Sequence, residues 1–145
     1  MTPSNTQRFN LKAIAVATAL IFVLDSLTGI FLFLAFGADQ LQTGATQENI
    51  RAVAERVQGM NGYLLVSLAV GTMTTVLGGY AAGRMAKPLP LLNACAVGVI
   101  GIAIAIVLGN PGEAPWWFDA IGYLTNVPAA IVGGHLARQR NRANQ

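Results

Sequence analysis

From Lys12 to Gly37 the chain reads KAIAVATALIFVLDSLTGIFLFLAFG, and beyond Lys12 its only charge is Asp25. A helix of about 25 residues, rising about 1.5 Å per residue, is long enough to cross a hydrocarbon layer of about 30 Å. The apolar core of a secretory leader is shorter, about 7–15 residues, and does not carry an acid. The stretch is therefore read as a retained membrane span rather than a cleaved leader. Only 10% of the 145 residues are charged, against about 25% in soluble domains. Asp25 falls near the middle of the run, where a lone carboxylate is costly in lipid.

Three further apolar runs follow. The spacing predicts spans over residues 13–37, 62–83, 89–109 and 117–137, an N-terminal arm over 1–12 and a basic tail over 138–145. The fold class is all-α, a bundle of four transmembrane helices. Pro88 and Pro90 break the chain between the second and third spans. Asn110 to Pro115 forms a turn cluster, and Trp116, Trp117 and Phe118 start the fourth span as an interfacial belt. Between the first two spans, TQENIRAVAERVQG predicts a short amphipathic helix with Ile50, Val53 and Val57 on one face. Arg51 and Glu55 make an i,i+4 pair on it, and Gly59 stops it.

The loops set the orientation. Of the nine Lys and Arg residues, Arg8, Lys12, Arg84, Lys87, Arg138, Arg140 and Arg142 fall on one side, which is therefore cytoplasmic. Both termini are then cytoplasmic, and the amphipathic helix lies in the first extracytoplasmic loop. These cations form no patch interleaved with aromatic residues, so nucleic acid is not an expected partner. The single cysteine, Cys95, excludes an intrachain disulfide.

Gly78-Gly79-Tyr80-Ala81-Ala82-Gly83-Arg84 is echoed by Gly133-Gly134-His135-Leu136-Ala137-Arg138. Two readings stand: a duplicated helical hairpin, or convergent glycine packing followed by cytoplasmic arginines. The same residues carry a resemblance. GGYAAGRMAK, with a second apolar hairpin ending GGHLAR, resembles small four-span bacterial membrane proteins of uncharacterised function. Their second span likewise closes on Gly-Gly-aromatic-x-Ala-Gly-Arg. The resemblance implies a bacterial inner membrane. It implies no activity, cofactor or binding residue.

Lipid is as apolar as leucine, so helices in a bilayer associate through close backbone approach and polar contacts. Ser67, Gly71, Thr74, Gly78 and Ala82 share one face of the second span, and Ala94, Gly98, Gly101, Ala105 and Gly109 one face of the third. Ala129 and Gly133, and Ala130 and Gly134, do the same in the fourth. These faces are expected to pack within the chain.

The centres of three spans carry hydrogen-bonding groups: Asp25 and Thr28 in the first, Thr72, Thr74 and Thr75 in the second, Asn126 in the fourth. No span offers Asp25 a lysine or arginine, and a carboxylate without a counter-ion in low dielectric gives way to its neutral form. Asp25 is thus expected to be protonated and hydrogen-bonded to the threonines and Asn126. Either it clamps helix register, or it forms a proton- or ion-coupled site. No P-loop, nucleophile elbow, metal-ligand spacing or dinucleotide fingerprint occurs, so neither enzyme activity, a metal nor a cofactor is expected. Asp119 reads as a solvated loop residue and Asn93 as a span end. The first functional reading is an interaction or accessory membrane protein, whose partners are the lipid bilayer and a second copy or a larger membrane complex. The alternative is a small oligomeric transporter or channel subunit using Asp25.

Overall fold

The computed structural model describes residues 9–39, 46–108 and 114–143. Among them are five helices and no strand: α1 (Leu11–Gly37), α2 (Gln47–Gln58), α3 (Asn61–Met85), α4 (Pro90–Leu108) and α5 (Trp116–Ala143). Helices α1, α3 and α4 are long and apolar enough to cross a membrane. α5 falls short on composition, not length.

Local chemistry explains the helix ends. The Asn10 side chain accepts the Ala13 N–H at 3.0 Å and caps α1. Thr46 accepts the Asn49 N–H at 3.3 Å and caps α2, whose first turn holds Glu48 and last turn Arg56, each matched to the helix dipole. Gly59 ends α2 as the spacing predicts. Its φ of −79° is right-handed, so glycine's freedom is not what stops the helix there. α3 starts almost at once, at Asn61. Pro90 occupies the first position of α4, where a missing N–H costs no helical bond. α5 runs unbroken through Pro128 and carries Arg138, Arg140 and Arg142 in helix rather than in an extended tail.

Small residues set the packing. A Cβ added at Gly79 would fall on the Ala130 carbonyl, and one at Gly133 on the Val76 carbonyl, so α3 and α5 touch backbone to backbone. Gly83 faces Ala137 and Gly134 of α5 and Pro90 of α4 together. α4 closes the trio by laying Gly98 against Val127 and Ala94 against Gly134. The two Gly-Gly segments thus pack on one another. α3 and α5 run in the same direction, while α1 and α4 run against them.

Two polar clamps tie one end of this assembly. Asn93 is 1% exposed; its Oδ1 accepts the Asn10 N–H at 2.8 Å while its Nδ2 donates to the Leu89 carbonyl at 2.9 Å. Arg84 donates to the Asn141 side chain at 2.9 Å, and Asn141 donates to the Gly83 carbonyl at 3.2 Å. Asn10 and Asn141 therefore sit at the same end. At the other end Phe36 and Tyr63 meet edge to face at 5.9 Å. There α2 covers Gly37 with Val53 and Val57, both buried. Ile50, predicted on the same face, stays 41% exposed. The Arg51–Glu55 pair forms at 3.2 Å between well-exposed side chains. Such pairs contribute little, so Arg51→Ala should leave the thermal midpoint unchanged. Val57→Asp should instead release α2 from α1, read as fast amide exchange confined to α2.

α1 is held differently from the other long helices. Its buried residues are Ala13, Ile14 and Ala17 near one end and Leu32 and Gly37 near the other. Between them no residue is fully buried: Ile21 packs on Gly78 of α3, and cavities lie between the middle of α1 and α4 and α5.

Candidate functional site

That gap contains the polar layer. In α1, Asp25 points into it and is left uncovered by protein. In α3, the Thr74 hydroxyl lies 2.5 Å from Asp25 Oδ1 and 2.9 Å from the Gly71 carbonyl. Thr75 donates to the same Gly71 carbonyl at 2.9 Å, and Thr72 to the Leu68 carbonyl at 2.7 Å. Hydroxyls in helices bond back to the previous turn in this way, which satisfies them where water is scarce.

Two cavities meet at this layer. One, about 360 Å³, lies between α1, α3 and α5 and is lined by Asp25, Ser67, Thr72, Phe118, Asp119, Tyr123 and Asn126 among others. The second, about 400 Å³, lies between α1 and α4 and takes in Thr18, Ile21, Ser26, Val97 and Ile104. Asp25, Thr75, Ala105 and Asn126 belong to both walls. The two adjoin, with Asp25 on the wall they share, and are together called the cleft. Cavities of this size accept small organic ligands. Among the described residues no lysine or arginine lines either part. Among the described residues, the hydroxyls of Thr18 and Ser67 are closed off from solvent without a hydrogen-bond partner, one in each wall. Buried polar atoms are rarely left so.

Of the residues expected to share the site, Asp25 and Thr74 are bonded, and Thr72, Thr75 and Asn126 line the cleft. Asn126 lines both cavities with Asp25 and lies against Gly101, where a Cβ would stand 3.2 Å from its Nδ2. Among the described residues, the side-chain bond to Asp25 comes from Thr74, not from Asn126. Thr28 lines neither cavity. Asp119 departs from its sequence reading: it sits in the first turn of α5 and in the cleft wall. Tyr123 and Thr18 carry no sequence reading, while Phe118 reads only as part of an interfacial belt and Ser67 only as part of a packing face. The available signal was spacing, since Phe118, Gly122, Thr125 and Asn126 recur on one face of α5. His135 sits on the exposed side of α5, 3.1 Å from Gln139. Among the described residues no three metal-binding side chains come together.

Fold and site thus define an all-helical chain with three membrane-length apolar helices and a polar cleft beside a central acid. No family model matches the chain, and neither a curated protein nor a solved structure matches it.

Proposed function

We propose that this chain is a four-span protein of the bacterial inner membrane, with both termini cytoplasmic, and that its cleft binds a polar ligand at Asp25 as part of a small oligomeric transporter or channel subunit. It acts by binding, not by bond chemistry. One observation carries the reading: a cavity large enough for a small organic molecule reaches the only acid in the first span. A register clamp would be dry and filled, whereas this acid faces open space.

α5 as the fourth span fits the same picture. Its polar residues Asp119, Tyr123, Thr125 and Asn126 lower its apolarity and lie in the cleft wall, away from lipid. The cations gathered at the Asn10 end support its cytoplasmic placement. The likeness of Gly78 to Arg84 to four-span bacterial proteins supports the same membrane. The accessory-protein reading has less behind it, because the exposed apolar face of α1 is what lipid alone would require.

Thiol accessibility tests the cleft. Methanethiosulfonates need a thiolate, which forms in water and not in hydrocarbon. In a Cys95→Ser background in liposomes, Thr72→Cys on the cleft wall should react with a membrane-impermeant reagent at least about tenfold faster than Met73→Cys. Met73 neighbours Thr72 on the same helix but is 67% exposed on the outer face. Silence at Thr72→Cys would overturn the open cleft. Equal rates at both positions would place α3 in water and overturn the span.

A further inference from the structure

We propose that the cleft takes a small monovalent organic cation with an aromatic or alkyl part, and that this cation and a proton are alternatives at Asp25. The proposal rests on the open-cleft reading above and adds the ligand class and its coupling.

Charge selects the sign. Among the described residues the cleft carries two carboxyl groups, Asp25 on the wall the two cavities share and Asp119 on the α5 wall, and no lysine or arginine. An anion would meet repulsion without any compensating donor of positive charge. Ring faces select the type of cation. Phe118 and Tyr123 line the same cavity as Asp25, and aromatic faces attract ammonium groups, more so when water is excluded. Coordination argues against a divalent metal ion. A hard divalent cation needs about six oxygen ligands at short range, whereas among the described residues no three acidic, histidine or cysteine side chains come together.

Hydrogen counting gives the coupling. The Thr74 hydroxyl has one hydrogen but lies within bonding distance of two acceptors, Asp25 Oδ1 and the Gly71 carbonyl. With Asp25 protonated, its O–H donates to Thr74, and Thr74 donates to Gly71, so both contacts are hydrogen bonds. With Asp25 ionised, the Thr74 hydrogen turns to the carboxylate, and Gly71 keeps the Thr75 hydroxyl at 2.9 Å. Rotation of one hydroxyl therefore accommodates either state. In the ionised state the remaining carboxylate lone pairs face the cleft without a protein cation, and an ammonium group can take that place. A proton and an ammonium compete for one charge.

The other groups facing Asp25 do not supply this competition. α3 and α4 bring no titratable side chain to the cleft, and α5 brings Asp119 and the Tyr123 phenol. Asp119 is thus the one alternative to exclude.

The test is calorimetric titration of the full chain in lipid nanodiscs with phenyltrimethylammonium and with its neutral isostere tert-butylbenzene. The cation should bind saturably and release protons, and its affinity should fall about tenfold per pH unit below the titration of Asp25. The neutral isostere should show no saturable binding. Asp25→Asn should lose at least about tenfold in affinity and flatten the pH dependence, while Asp119→Asn should keep the slope. Equal binding of the two isosteres by the unmodified chain, which needs no variant to fold, would overturn the cation assignment. A pH-independent affinity, or a slope abolished by Asp119→Asn, would overturn the competition at Asp25. Each of these results leaves Thr72→Cys reactive, so the inference fails separately from the open cleft.

Discussion

A single added methyl group at Gly79 will unseat α5 from α3. The Cβ of Gly79→Ala falls on the carbonyl of Ala130, main chain rather than a side chain that could swing away. Overpacking a core ordinarily costs about 1–3 kcal/mol, and the upper end applies where backbone must move. About 3 kcal/mol is therefore expected for Gly79→Ala, and the same for Gly133→Ala, which strikes the Val76 carbonyl from the other helix. Gly122→Ala is the matched control. It lies on α5, and an added Cβ would meet nothing within 4 Å. Helix propensity alone then favours alanine by up to about 1 kcal/mol. Thermal unfolding in mild detergent should place the first two variants well below the parent and the third at or above it. If Gly79→Ala melts with Gly122→Ala, the helices are not in backbone contact. The effect matters for the site because α3 and α5 form two walls of the cleft, and separating them moves Thr72 away from Tyr123.

The second large effect is expected at Asn93. This side chain is 1% exposed and bridges the N–H of Asn10 to the carbonyl of Leu89. Asn93→Leu removes the acceptor and leaves the Asn10 N–H without its partner. A buried donor left unsatisfied costs about 1–3 kcal/mol, and the bulkier leucine adds strain. The loss should be local. α1 meets the rest of the assembly near this end through Ala13, Ile14 and Ala17, so releasing Asn10 should free that end first. Amide exchange over Asn10 to Ala17 should quicken, and Lys12 should become open to trypsin, before α3 and α5 melt. Unchanged protection at Asn10 in a folded Asn93→Leu variant would show that the clamp does not hold α1.

The helices themselves were visible in the chain because their cause is local. Uninterrupted apolar runs and the prolines Pro88 and Pro90 act within a few positions of themselves. The small-residue faces are followed in part: Thr74, Gly78, Ala82, Ala94, Gly98, Ala130 and Gly134 are buried, Ser67, Gly71 and Gly101 are half-buried, Ala105 is exposed, and Gly109 lies outside the described residues. Asn93 was harder. An asparagine at a helix start has several ordinary uses, and its bond reaches a residue 83 positions away. Asp119 was misread because adjacent turn residues and tryptophans suggested a loop, while its position in the first turn of α5 aims it at the cleft.

The acid in the first apolar run, its depth and the threonines at matching depth follow from residue order alone, since helical rise converts sequence position into height. What order could not specify is the space beside Asp25. That space exists because the middle of α1 rests on α3 alone, through Ile21 against Gly78 and Asp25 against Thr74, while α3, α4 and α5 close on one another through glycine. It is a difference between helix separations, and separations depend on which side chains meet across chains of contacts far apart in sequence. The same carboxyl would be a dry clamp if α1 lay as close to α5 as α3 does. The packing of α1, not the presence of Asp25, makes the position a candidate site.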